Sequence, residues 1–239
     1  MSRPVGAGRE EREEIEFKEM KVSVIIPTLN EEEAIGKVLR DMPKEVVNEI
    51  IVVDSSTDDT AEIAESFGAN VILVPKKGYG RALQTGVEKA RGEVIVYMDG
   101  DCTYDPKEVY DLVQPILNDG YDVVVGSRLR GRMLPGSMRF LNRFGNFVLS
   151  LIFSVLFFKG VSDTQCGFRA IRKGFLDGFS YVDYGMPYVT EQLVKLIRRG
   201  ARIGNVPVTY RPRIGTTKLC AWTDGFIILK CILRERLLI

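Results

Sequence analysis

Short β-branched runs alternate with longer amphipathic stretches along the first hundred residues, and this alternation constrains the fold most. Lys21–Pro27 (KVSVIIP), Asn48–Asp54 (NEIIVVD), Asn70–Val74 and the start of Glu93–Asp101 (EVIVYMDGD) have the length and composition of buried strands. Between them lie three helical stretches. One runs from the Thr28–Glu31 turn and cap to about Arg40, with Glu31, Glu32 and Glu33 at its positive end. One is capped by Ser55–Thr60 and stopped by Gly68. The third runs from about Arg81 to Ala90. The order β-α-β-α-β-α-β predicts an α/β fold with a mainly parallel sheet and helices on both faces.

In open sheets of this kind, ligands bind beyond the carboxyl ends of the strands. Three of those ends carry polar groups: Thr28 to Glu31, Asp54, and Asp99 with Asp101. The last is the most demanding, because two carboxylates at the tip of a buried strand call for a compensating charge. Their oxygens suit Mg²⁺ or Mn²⁺, with diphosphate oxygens completing the octahedron. Asp-Gly-Asp is also good turn sequence, and on this stretch alone both readings stand.

Composition removes several alternatives. The chain of 239 residues contains no histidine, which excludes His-dependent triads and His-ligated zinc or iron. The four cysteines, Cys102, Cys166, Cys220 and Cys231, form no Cys-x-x-Cys pair, so neither a zinc site nor a disulfide framework is expected. Free thiols suit a reducing compartment, and Cys102 reads as a packing residue. A net charge of +1 gives no support to a nucleic-acid partner. Pro-Thr-Leu-Asn-Glu-Glu follows the first strand where a dinucleotide fingerprint would stand, and there is no P-loop. The loop carrying Lys76, Gly78 and Gly80 reads either as flexible or as a phosphate contact through backbone N–H groups. Residues 1–20, rich in Arg and Glu, read as an exposed arm, with no signal peptide expected. No run reaches the ~18 apolar residues of a spanning helix, and no membrane-spanning tail is expected.

Several segments together resemble a known family. Val24-Ile25-Ile26-Pro27-Thr28-Leu29-Asn30-Glu31, Val52-Val53-Asp54-Ser55-Ser56-Thr57-Asp58-Asp59-Thr60 and Met98-Asp99-Gly100-Asp101 are similar to the family 2 glycosyltransferases of GT-A fold. Val125-Gly126-Ser127-Arg128, Asp163-Thr164-Gln165-Cys166-Gly167-Phe168-Arg169-Ala170 and Gly215-Thr216-Thr217-Lys218-Leu219 look like its dolichyl- or polyprenyl-phosphate mannose and glucose synthase branch. The resemblance implies a single GT-A domain over 21–239, a Rossmann-like mixed sheet flanked by helices. It divides into a nucleotide-sugar half (21–122) and an acceptor half (123–239), with amphipathic helices toward the C-terminus. It implies donor contacts from Pro27, Thr28, Leu29, Glu31, Asp54, Lys76, Gly78, Gly80, Asp99 and Arg213. Asp99 and Asp101 would hold the Mg²⁺ or Mn²⁺. Ser127, Arg128 and Arg139 would face an acceptor phosphate, and Asp101, Arg128 and Lys218 would act in transfer. Two positions depart from the pattern. Asp54 is followed directly by Ser55, in a loop one residue shorter than usual, and Thr103 stands where these synthases often carry Gln.

From Val123 to Ser162 the chain has no acid but carries Arg128, Arg130, Arg132, Arg139, Arg143 and Lys159, together with the apolar run Phe147–Phe158. Arginine forks bind phosphate, and a short apolar helix can lie in a membrane interface. The run alone reads equally as a buried core helix. Combined with the arginines it favours a lipid phosphate. The expected activity is inverting transfer of a hexose from GDP-mannose, UDP-glucose or UDP-N-acetylglucosamine to dolichyl or polyprenyl phosphate. The enzyme would act peripherally at the cytoplasmic face of a membrane, with homo-oligomerisation open. The rivals are transfer to a saccharide or another hydroxyl acceptor, with Glu191 or another acid as general base, and a non-catalytic nucleotide-sugar or membrane-binding subunit.

Overall fold

The computed structural model describes residues 20–75, 78–182, 184–215 and 221–238. The N-terminal arm (apart from Met20), Lys76 and Lys218 lie outside the described residues. The described residues form seven strands: β1 (Val22–Thr28), β2 (Glu49–Asp54), β3 (Asn70–Leu73), β4 (Val94–Tyr97), β5 (Val123–Ser127), β6 (Arg169–Arg172) and β7 (Ile203–Pro207). The helices are α1 (Ile35–Arg40), α2 (Thr60–Ser66), α3 (Tyr79–Lys89), α4 (Val109–Asn118), α5 (Phe140–Phe157), α6 (Tyr188–Arg198) and α7 (Ala221–Leu237).

The strands form one sheet in the order β3-β2-β1-β4-β6-β5-β7. β1 pairs parallel with β2 and β4, β2 with β3, and β5 with β7. β6 is antiparallel to both of its neighbours, β4 and β5. The expected mixed, mainly parallel sheet is therefore observed. Its central strands are covered on both faces, so they read as near-continuous apolar runs: Val24, Ile25, Ile26, Ile51 to Val53 and Val94 to Tyr97 are fully buried. Removing one such side chain from water contributes about 1.5–3 kcal/mol. α3 lies against β1 and β2, and α4 against β4 to β7. α7 packs on both α5 and α6.

This topology brings the carboxyl ends of β1, β2, β4, β5 and β7 to one edge. Because β6 runs the other way, its lead-in, residues 163–168, arrives at that same edge. The Asp-Thr-Gln-Cys-Gly-Phe segment is thereby placed beside the Asp-Gly-Asp turn, far from it in sequence.

Three elements differ from the sequence expectation. Helix α3 begins at Tyr79 rather than about Arg81. The strand expected over Arg202–Tyr210 is confined to Ile203–Pro207: the Val208 amide still bonds Ser127 at the end of β5, but the Tyr210 amide turns to Arg132 beyond it. Helix α5 has 18 residues, starting seven before the apolar run, and by length and composition it is long and apolar enough to cross a membrane. The polar residues Asn142, Arg143 and Asn146 in its first turns hid that length in the sequence.

Candidate active site

Asp99 and Asp101 leave the tip of β4 in a tight turn in which Cys102 takes a left-handed φ of 65°. The Cys102 thiol contacts the Ala34 carbonyl and is a packing group. Each carboxylate is held in place. Asp101 Oδ1 accepts from the Thr103 hydroxyl at 2.6 Å and the Thr103 amide at 3.0 Å. Asp99 Oδ1 accepts from the Tyr79 hydroxyl at 3.1 Å. Burial, and then the charge of Asp101, push the Asp99 carboxyl up to about 7. Burial and the Asp99 charge likewise keep Tyr79 protonated. Gly167 closes this side. A Cβ there would lie 2.8 Å from Tyr79 Oη and 3.3 Å from both Asp99 oxygens, so no larger residue fits beside the carboxylate.

The two like charges are what a divalent cation relieves, and their hard oxygens match Mg²⁺ or Mn²⁺. Among the described residues no cluster of three or more His, Cys, Asp or Glu side chains gathers anywhere. The donor set thus suits an ion that takes its remaining ligands from a diphosphate and water.

A strap, residues 209–214, crosses this turn after β7. The Arg211 amide donates to the Thr103 carbonyl at 2.8 Å, and the Ile214 amide to the Asp101 carbonyl at 3.0 Å. The Arg211 side chain pairs with Asp105. Arg213 reaches back to the site: Nη1 is 3.3 Å from Asp101 Oδ2, and Nη2 is 2.5 Å from Glu31 Oε1. Burial works against its charge, but Asp101 and Glu31 outweigh that and raise its pKa. Sequence reasoning placed Arg213 on the donor diphosphate, and the structure adds its pairing with two acids.

On the donor side, Asp54 is buried and its oxygens are engaged by the chain itself. Oδ1 accepts from Thr28 Oγ1 at 2.6 Å and Ser56 Oγ at 2.5 Å, and Oδ2 from the Ser56 amide. Glu31 is fixed by its amide, which donates to Thr60 Oγ1. Pro27 and Leu29 are half-buried between them. The short loop after β2 is closed by Asn30, whose amide donates to Ser56 Oγ and whose Oδ1 accepts from the Thr57 amide. Gly78 and Gly80 have a packing reason: added Cβ atoms would strike the Tyr184 carbonyl at 2.7 Å and the Tyr188 side chain at 2.3 Å. The residue between them, Tyr79, reaches the Asp99 carboxylate. A Tyr at the first position of a helix carries no sequence signal of that role.

On the acceptor side, Arg128 was expected to present its fork to a phosphate. The structure places that fork on Asp163 instead, with Nε 2.7 Å from Oδ2 and Nη2 2.8 Å from Oδ1. Both side chains are buried. Burial opposes the Arg128 charge, yet Asp163 raises its pKa well above the usual value. The guanidinium also stacks 5.3 Å from the Tyr210 ring. Ser127 is fully buried, and its hydroxyl accepts from the Arg130 amide, which shapes the turn after β5. Arg130, Arg132, Arg139, Arg143 and Lys159 are exposed. Arg169, fully buried, donates to the carbonyls of Thr164, Cys166 and Val189 and so pins the 163–168 segment. Glu191 is buried between Lys195 at 3.1 Å, Arg234 at 3.3 Å and the Val182 amide, tying α6 to α7.

Helix α5 is not a core helix. Phe140, Phe144, Phe147, Leu151, Val155 and Phe158 repeat every three or four residues along an exposed stripe, while Leu149, Phe153 and Phe157 face inward. Only 22% of the helix is buried. Beside it, Phe226, Leu229, Leu233, Leu237 and Leu238 line an apolar groove of about 410 Å³ on α7. Ser150 connects this layer to the site: its hydroxyl accepts from the Thr164 amide at 3.0 Å, three residues before Gly167.

A sheet with a paired-carboxylate turn at its carboxyl edge, strapped by a cationic segment, defines a glycosyltransferase of GT-A type. Residues 23–179 match the model of glycosyl transferase family 2, and the chain belongs to that family. It is 38% identical over 216 residues to a dolichyl-phosphate hexose transferase of Haloferax volcanii, covering 89% of this chain and 92% of that protein. It is 37% identical over 213 residues to the low-salt glycan biosynthesis hexosyltransferase Agl6 of the same organism, covering 86% of this chain but spanning about half (51%) of that protein. Among solved structures, glucosyl-3-phosphoglycerate synthase from Mycobacterium tuberculosis, in complex with Mn²⁺, UDP and glucosyl-3-phosphoglycerate, superimposes with a TM-score of 0.74. That match covers 98% of this chain and 86% of the synthase at 24% identity, a likeness of fold.

Proposed function

We propose that this glycosyltransferase moves one hexose from a nucleotide-diphosphate sugar to a polyprenyl or dolichyl phosphate. One observation carries the reading: the exposed apolar stripe of α5 is tied through Ser150 to the segment that walls the paired carboxylates. A lipid tail on that stripe puts its phosphate near the site, within the exposed basic rim of Arg130, Arg132, Arg139 and Arg143. Each such residue adds about 1 kcal/mol of attraction to an anionic surface. The relative aligned over 92% of its own length is named a dolichyl-phosphate hexose transferase.

The lipid phosphate oxygen attacks the anomeric carbon from the face opposite the diphosphate. The carbon–oxygen bond to the nucleoside diphosphate breaks, and the configuration inverts. A phosphate is ionised at neutral pH and needs no general base, which accords with Glu191 sitting in an ion-pair network between helices. Asp99 and Asp101 would hold a divalent cation, which would supply positive charge against the departing diphosphate. Thr103 and Tyr79 orient its two ligands, and Arg213 lies close enough to add a second positive charge. Arg128 and Asp163 act together as a rigid buried pair that sets the wall of the acceptor side. The helices α5 and α7 lie along the cytoplasmic face of a membrane, with the enzyme peripheral to it.

The test is transfer of labelled sugar from UDP- and GDP-sugars to a short polyprenyl phosphate, with Mn²⁺ or with chelator. Metal-dependent label in the lipid phase is expected from the wild type and none from Asp101→Ala. Labelling of soluble saccharides with no lipid product would overturn the acceptor.

A further inference from the structure

Asp101 offers a cation only one of its two oxygens. Oδ1 is taken by the hydroxyl and amide of Thr103, at 2.6 and 3.0 Å. Oδ2 is the remaining ligand atom, and Arg213 Nη1 already stands 3.3 Å from it. The same guanidinium holds Glu31 through Nη2, so it spans acids from the ends of two different strands. Its Nε is buried and has no hydrogen-bond partner among the described residues. A buried N–H without an acceptor is costly, so this arrangement leaves one donor able to take a ligand. The backbone that delivers Arg213 is bonded to the carboxylate turn on both sides of it, at Arg211 to Thr103 and at Ile214 to Asp101. Gly215, at a φ of 85°, follows directly.

We infer that Arg213 is a cationic placeholder for the divalent ion. In the free enzyme it neutralises Asp101 and Glu31 and keeps the turn in its working shape. When cation and nucleotide sugar arrive, it yields Oδ2 and turns its released donors, Nε included, onto the diphosphate. A guanidinium fork fits two phosphate oxygens as well as it fits a carboxylate. Cation and diphosphate are then coupled. The ion alone must displace Arg213 and leave it short of a partner, whereas ion and diphosphate together supply one. Each improves the affinity of the other by the same factor. This inference rests on the metal role proposed for Asp99 and Asp101, and concerns the order in which that site fills.

The test uses the full chain and reads Mn²⁺ occupancy by electron paramagnetic resonance, with and without UDP or GDP. Arg213→Met is expected to bind Mn²⁺ alone about tenfold more tightly than wild type, because a competing charge is gone. With a nucleoside diphosphate present it is expected to bind Mn²⁺ about tenfold more weakly, because the fork is missing. Arg213→Lys, which keeps the charge but cannot span both acids, should also bind the bare ion more tightly than wild type. It decides the matter if the Met variant does not fold. Bare-ion affinity unchanged or weakened in the folded variants would overturn the placeholder while leaving the metal site standing. Absence of Mn²⁺ binding by the wild type, with either nucleotide, would remove the metal role itself and the placeholder with it.

Discussion

Replacing Thr103 by Val tests whether its hydroxyl supports the proposed metal site. The side chain keeps its size and branching, but a methyl replaces the donor that lies 2.6 Å from Asp101 Oδ1. A carbon cannot approach an oxygen so closely, so the carboxylate must turn or withdraw by several tenths of an ångström. The Thr103 amide remains as a donor at 3.0 Å, so the loss is one hydrogen bond to a charged group rather than two. Such a bond contributes about 1.5–3 kcal/mol. Partners of a metal ligand typically change metal affinity by about 10- to 100-fold. The two magnitudes agree. Both residues are nearly fully buried, so solvent cannot replace the lost donor. We expect Thr103→Val to weaken Mn²⁺ binding in the presence of nucleoside diphosphate by about tenfold to a hundredfold, and Thr103→Ser to leave it close to wild type. Isothermal titration calorimetry measures both, with circular dichroism to show that each variant folds. A Val variant within twofold of wild type would refute the argument that the hydroxyl positions Asp101.

Two more expectations follow from the charges. Asp163→Asn leaves the Arg128 guanidinium buried opposite a neutral amide, and should cost about 3–5 kcal/mol in chemical denaturation. The double variant Arg128→Met, Asp163→Leu should lose less than that single change, and a larger loss would contradict the ion-pair account. Asp99 gives a pH signature. Its carboxyl titrates near 7 in the folded chain against 3.8 for an ordinary Asp, so the folded state holds its proton longer. Metal-free stability from this group therefore falls as pH rises from about 4 through 7. Cation binding needs the charged form, so Mn²⁺ should raise the melting temperature much more at pH 8 than at pH 5.5. Equal shifts at both would count against Asp99 as a ligand.

What the sequence disclosed followed local pattern. The strands β1, β2 and β4, with their polar ends, were readable because buried parallel strands are continuous apolar runs, and an acid at their tips is conspicuous. β6 was not readable. Arg169 and Arg172 flank only Ala170 and Ile171, a poor strand by propensity, and the segment is held by its two antiparallel neighbours. The carboxylate pair was legible, but its supports were not. Tyr79 and Gly167 meet Asp99 from remote parts of the chain, and only the reversed strand brings Gly167 there. Arg128 was expected to face an acceptor phosphate, and the partner it has instead, Asp163, lies 35 residues away with no spacing rule to reveal it. Lys76 and Lys218, read as donor and transfer residues, fall outside the described residues.

The reversed strand also sets the order in which the molecule can be assembled. β4 pairs with β1 early, but its other edge waits for β6, with Val94 opposite Arg172. β5 emerges before β6 and has no place in the sheet until β6 bridges it to β4, with Val123 opposite Ile171. A chain leaving the ribosome thus carries one open, fully apolar edge and one unattached strand until residue 172 is made. Unpaired apolar edges recruit other chains, and such long-range pairing is slow. The first 122 residues, although they contain most of the nucleotide-sugar contacts expected from the sequence, would be sticky as an isolated fragment. The last few residues of the reversed strand turn two half-sheets into one.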